Sequence, residues 1–132
     1  MYARWLFRIA GIYGLLVLLP QYFLEKRIGA DDPPAITHPE YFYGFVGVGV
    51  AWQVAFLVIS HDPPRYRWMI LPAIVEKVTF GLAALVLFAQ QRLSSPVLFF
   101  ASVDLVLSAL FAVAFLQLRE QSAAISEVAT TK

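Results

Sequence analysis

Residues 68–90 read WMILPAIVEKVTFGLAALVLFAQ, from Trp68 to Gln90, and the rest of the chain follows from what this stretch needs. One helical crossing of the ~30 Å hydrocarbon core takes about 20 mostly apolar residues, so the length fits a membrane span. Glu76 and Lys77 nevertheless stand near its middle. On an insertion scale an ionisable side chain there costs about 2.5 to 3.5 kcal/mol, and each Leu, Ile, Val or Phe returns about 0.3 to 0.6. Two charges then cost about 5 to 7 kcal/mol, against about 3 to 7 from the eleven such residues of the stretch. A helix this marginal requires other helices packed on it.

The remainder of the chain supplies them. Three further apolar runs cover about residues 5–24, 42–60 and 96–118, so the expected fold is all-α, a polytopic membrane four-helix bundle in a single domain over 1–118. Residues 119–132 are polar and are expected to form a disordered cytoplasmic tail. Turns are marked by Asp31-Asp32-Pro33-Pro34 and His38-Pro39, by Asp62-Pro63-Pro64, and by Ser94-Ser95-Pro96, which opens the last span. The flanks of the two Asp-Pro-Pro triplets do not match, so they do not mark a repeat. Pro20 and Pro72 lie near span ends, where proline starts or mildly kinks a helix. No small-residue cleavage site follows the first apolar run, and an uncleaved first span is expected.

Composition points to the same solvent. Of 132 residues, 60% are hydrophobic and 14% charged, where a soluble domain carries about 25% charged residues. A net charge of +1 without a basic run gives no footprint for nucleic acid, and membrane lipid is the expected surrounding. The absence of cysteine excludes thiol redox chemistry and iron–sulfur ligation. His38 and His61 fall in loops on opposite sides of the membrane, and no phosphate loop, nucleophile elbow or His-Glu-x-x-His helix is present. Neither a cofactor nor a metal is therefore expected.

Orientation follows from the basic residues. Arg4, Arg8, Arg65, Arg67, Arg119 and Lys132 lie on one side, against Lys26, Arg27 and Arg92 on the other, which puts both termini in the cytoplasm. Tyr2, Trp5, Tyr22, Tyr41, Tyr43, Tyr66 and Trp68 fall at span ends, as headgroup anchors do.

The chemistry lies with the polar residues inside the spans: Arg8, Gln53, Glu76, Lys77 and Asp104. Neighbours on a helix point about 100° apart, so Glu76 and Lys77 are expected to find partners on different helices. At ~1.5 Å per residue Glu76 lies about 12 Å deep and Gln53 about 10 Å, while Asp104 descends from the other side to about one turn beyond Lys77. The expected cluster pairs Glu76 with Arg8 or Gln53, and Lys77 with Asp104. Gly47, Ala51 and Ala55 on the second span, and Ala101, Asp104, Ser108 and Ala112 on the fourth, form small or polar stripes for close helix approach, with Ala10, Gly14 and Gly81 serving the other two.

Three roles suit such a cluster. It can hold the bundle together; the bundle can be a non-catalytic subunit that docks on itself or on a larger membrane complex; or it can enclose a cavity for a lipid-like or isoprenoid ligand, a hydrophobic small molecule bound or isomerised there. In the last case Glu76 and Asp104 are the catalytic acid–base candidates, Tyr13, Trp52 and Phe80 the walls, and Arg8, Gln53 and Lys77 the polar contacts. The sequence by itself favours a non-catalytic bundle.

Tyr43-Gly44-Phe45, Trp52-Gln53 with Phe56, Asp62-Pro63 with Arg65-Tyr66-Arg67, and Glu76-Lys77 resemble the pattern of the small four-helix bacterial membrane proteins described as DoxX-like, in outline over residues 4–118. The resemblance implies four spans and the bacterial inner membrane, and carries no reaction. In architecture and carboxylate placement the chain is also similar to the sterol-isomerase and sigma-2-receptor superfamily, from which no catalytic residue transfers.

Overall fold

In the computed structural model the backbone is described for residues 1–130 and the side chains for residues 1–121. Five α-helices follow one another: α1 (Tyr2–Leu18), α2 (Glu25–Asp31), α3 (Pro39–His61), α4 (Ile70–Ala89) and α5 (Ser95–Thr130). A 3₁₀ turn over Leu19–Phe23 extends α1, and another over Arg67–Met69 leads into α4. No strand occurs among the described residues. Four segments are long and apolar enough to cross a membrane: Tyr2–Phe23, Pro39–His61, Arg67–Ala89 and Ser95–Gln121. The fold is thus the all-α, four-span bundle that the apolar runs require. Residues 131–132 and the side chains beyond Gln121 lie outside the described residues; the backbone of 119–130, where a disordered tail is expected, continues α5 as helix.

The prolines act where a missing N–H is harmless. Pro20 starts the 3₁₀ turn, Pro39 opens α3, and Pro72 and Pro96 lie in the first turns of α4 and α5. The end of α4 uses a different device. Gln91 takes the left-handed conformation at φ 58°, which lets its own N–H bond Phe88 O at 2.9 Å and the Arg92 N–H bond Leu87 O at 2.9 Å.

Between the first two spans the chain does not simply loop. Glu25-Lys-Arg-Ile-Gly-Ala-Asp31 forms α2, with Glu25 in its first turn facing the positive helix end and Arg27 pairing Asp31 at 3.4 Å, until Asp32-Pro33-Pro34 stops it.

The helices associate as two hairpins. α1 packs along α3 and α4 along α5; α1 also meets α5, whereas α3 and α4 scarcely touch. Within each hairpin glycine sets the approach. A Cβ on Gly11 would lie 2.9 Å from the Gln53 carbonyl oxygen of α3, and one on Gly81 would lie 2.5 Å from the Leu105 side chain of α5. The small stripe expected on the second span is not the seam: Ala51 faces outward, and α3 buries Val46, Gln53, Phe56 and Ile59 instead. A spacing of four shows that small residues share a face; which face turns inward is decided by the bulkier residues that find company. On α5 the buried stripe includes Ala101 and Ser108 as expected, then continues through Phe111 and Ala114.

The two hairpins join firmly at the end that holds the N-terminus and the loop after α3. There Phe7 stacks on Phe111 with ring centroids 4.3 Å apart, Phe56 meets Phe111 edge-on at 5.2 Å, and Ile59, Ile70, Ala73 and Ala114 close the core. Toward the opposite end a cavity takes the place of this core. The outer faces carry exposed Ile9, Leu16, Val48, Val54, Val75, Leu82, Phe99 and Val106, the reverse of a soluble protein and the right surface for acyl chains.

Candidate functional site: an intrabundle cavity with a charged floor

Where the packed core ends, α4 brings Glu76 and Lys77 inward, α5 brings Asp104, α3 brings Gln53 and α1 brings Tyr13. Lys77 is the centre. It is 5% exposed, its Nζ lies 3.0 Å from Asp104 Oδ1 and 3.4 Å from Glu76 Oε2, and it sits 5.5 Å from the centroid of the Phe56 ring below. The expected Lys77–Asp104 pair is therefore present and joins α4 to α5.

The separation expected for Glu76 and Lys77 is not found. Their Cα–Cβ bonds diverge, but the long lysine stem curls back so that its ammonium reaches both carboxylates. The contact to Glu76 brings charges together without hydrogen-bond geometry: Glu76 Oε2 is buried and accepts no hydrogen bond among the described residues.

Gln53 shares the site, as the depth argument requires. Its Nε2 donates to Gly49 O of its own helix at 3.1 Å, and its Oε1 lies against Gly14, where any Cβ would collide with it. Arg8 is not part of the cluster. Helical side chains lean toward the N-terminus, which on α1 carries Arg8 away from the membrane centre, and its guanidinium lies 5.2 Å from the ring centroid of Trp5 one turn earlier.

Above this floor lies a cavity of ≈ 460 Å³, within the ~300 to 1,000 Å³ common for small-molecule sites. Its walls are Val17, Leu18, Phe45, Phe80, Phe100 and Leu107, and its roof Gln21, Ile28 and Val97. Tyr13 and Phe80 stand as the walls they were expected to be. Trp52 does not. It packs on Phe56 at 6.2 Å and lines a separate outer groove of ≈ 330 Å³ with Phe45, Val48, Gly49, Glu76, Thr79 and Phe80.

The segment from Leu19 to Asp31 caps the cavity. Tyr43 Oη donates to Glu25 Oε2 at 2.7 Å, the Tyr22 and Tyr43 rings stack at 5.9 Å, and Ser94 Oγ donates to Asp32 Oδ2 at 3.1 Å, tying the first loop to the third. None of these links has a signature in the sequence, since each joins residues far apart in the chain.

The arrangement offers two carboxylates against one ammonium at the bottom of an apolar chamber. Such a floor favours a ligand head that donates hydrogen bonds and disfavours an anionic one. Among the described residues no group of three or more His, Cys, Asp or Glu side chains is placed to hold a metal ion. No family model, curated protein or solved structure matches this chain.

Proposed function

We propose that this small multi-pass membrane protein binds a lipid-like or isoprenoid molecule in the cavity between its hairpins, head group on the charged floor and chain among the apolar walls. The observation that carries the reading is the Glu76 carboxylate, which lines the cavity with its side chain about one-fifth exposed while its Oε2 is buried without a hydrogen bond among the described residues. Buried polar atoms in folded proteins nearly always have partners, and a ligand hydroxyl supplies one here. Lys77 lies closer to Asp104, at 3.0 Å, than to Glu76, at 3.4 Å, so Glu76 is the head-group acceptor and Asp104 holds the ammonium in place.

The test uses all-trans-retinol, an isoprenoid alcohol, as the probe, added to detergent-purified protein and read as a 1:1 complex by native mass spectrometry. Wild type is expected to form the complex, Glu76→Gln to weaken it at least tenfold, and the fatty acid of equal chain length to bind no better than to Glu76→Gln. Equal retinol binding by wild type and Glu76→Gln refutes the assignment of Glu76.

A second reading is favoured by the 3.0 Å Lys77–Asp104 pair, which clamps α4 to α5: a non-catalytic bundle whose charges serve packing alone and whose outer faces dock a second copy or a larger membrane complex. Under it no probe binds and Glu76→Gln changes nothing. The proposal extends to a DoxX-like family, supported by the motifs around Tyr43, Trp52, Asp62 and Glu76, and to a bacterial inner membrane with both termini cytoplasmic, supported by the asymmetry of Lys and Arg.

A further inference from the structure

We infer that the cavity loads sideways from the bilayer, between α3 and α4, through a gate made by the rings of Phe45 and Phe80; the inference rests on the ligand-binding reading above. Four observations converge on this gap. The backbones of α3 and α4 come close at few points, and toward the cavity end the Phe45 and Phe80 rings, not a close helix seam, stand between them. The ≈ 330 Å³ outer groove runs along this gap and shares Phe45, Gly49, Glu76 and Phe80 with the inner cavity, so these residues border both spaces. Phe45 is 53% exposed on the side that meets acyl chains, and its ring lies 5.9 Å from that of Phe80 at a tilt of 37°. At the other end Gln21 and Ile28 of the cap line the cavity, and the Tyr43–Glu25 and Ser94–Asp32 hydrogen bonds hold that segment to α3 and to the third loop.

The physics of the two routes differs. Passing the cap breaks hydrogen bonds and drags an apolar chain through water. Passing between α3 and α4 needs only rotamer changes of two phenylalanines, which keep their apolar surface in lipid throughout. Gly49 behind the gate has no side chain to obstruct the path, and Glu76 faces both spaces, so an arriving hydroxyl meets its acceptor at the threshold. A ligand using this route is one already dissolved in the membrane, which narrows the class to amphiphiles with a small donor head and a chain slim enough to pass between two helices.

The natural chain has no cysteine, so an introduced pair reports without background. Phe45→Cys/Phe80→Cys is bridged with a short bis-methanethiosulfonate reagent, and uptake of retinol from donor vesicles is followed over time by native mass spectrometry. The bridged protein is expected to load at least tenfold more slowly, with recovery after a reductant cleaves the bridge. Phe45→Ala, which needs no bridge, is expected to load severalfold faster, whereas Asp32→Ala/Ser94→Ala loads at the wild-type rate. Wild-type rates in the bridged protein and in Phe45→Ala overturn the gate, as does acceleration on opening the cap. Failure of wild type to bind retinol even at equilibrium overturns the binding reading itself and the gate with it.

Discussion

Removing the ammonium at the centre of the site is the most informative perturbation. Lys77→Met keeps the bulk over the Phe56 ring but strands Asp104, which loses its 3.0 Å partner, and Glu76, which loses its 3.4 Å partner. Deleting one member of a buried ion pair costs about 3 to 5 kcal/mol. Asp104→Leu is expected to cost less, because Lys77 keeps Glu76 at 3.4 Å and the larger side chain has the adjoining cavity to occupy. Lys77→Met/Asp104→Leu removes both members of the 3.0 Å pair but still leaves Glu76 without its cation, so the double variant should recover about 1 to 3 kcal/mol of the loss that Lys77→Met alone causes. The coupling is then at least that recovery, about five- to a hundredfold in the unfolding constant at about 1.4 kcal/mol per factor of ten. Glu76→Gln, whose contact lacks hydrogen-bond geometry, should change stability by less than about 1 kcal/mol. Reversible unfolding in mixed micelles of a mild detergent and dodecyl sulfate, followed by circular dichroism, measures all four. Additivity of the two single losses within about 0.5 kcal/mol would refute the view that these groups sustain one another.

Three further outcomes are expected. Gly11→Ala should lose about 1 to 3 kcal/mol in the same assay, because its new methyl meets the Gln53 carbonyl at 2.9 Å, backbone that cannot swing aside; Gly44→Ala, with nothing within 4 Å, should be neutral or gain up to about 1 kcal/mol. Gln91→Gly should raise stability by about 1 kcal/mol, since it relieves a left-handed φ of 58° at the end of α4; unchanged stability would show that the strain is not felt. Single cysteines at Arg65 and Arg92, labelled on intact cells with a membrane-impermeant maleimide, should react only at position 92 if both termini are cytoplasmic, and reaction at 65 alone reverses the orientation.

The spans were legible because a lipid solvent imposes a length and an apolar composition that few other demands produce, and the proline clusters fixed where they end. The level of the polar residues was legible too, since depth along a helix is simple arithmetic: Gln53, Glu76, Lys77 and Asp104 line one cavity, although Glu76 pairs with Lys77 and not with Gln53 or Arg8. Direction was harder. Arg8 sits on the correct helix but leans the wrong way, and Glu76 and Lys77 share one locus because a lysine stem spans the angle between them. The inward face of α3 was misjudged from Ala51, since small residues mark close approach only where the neighbouring bulk also packs. The cavity itself left no sequence signal. Its walls are ordinary Val, Leu and Phe, and its cap depends on contacts between distant loops.

The chamber and the charges have one cause. On the half of α3 nearest the cap, Gly49 borders the chamber with no side chain of its own, whereas the other half supplies Phe56 and Ile59 and the hairpins close on Phe7 and Phe111. Lys77 and its carboxylates stand at the junction of the two halves, against Phe56 on one side and open space on the other. Position therefore divides their labour: Asp104, paired with Lys77 at 3.0 Å across α4 and α5, belongs to the packed half, and Glu76, paired at 3.4 Å with its Oε2 free of hydrogen bonds among the described residues, belongs to the open half. A variant at Asp104 should accordingly be felt first in unfolding and a variant at Glu76 first in ligand occupancy. The reverse order would mean that the cavity is a packing defect and the charges merely its tolerated lining.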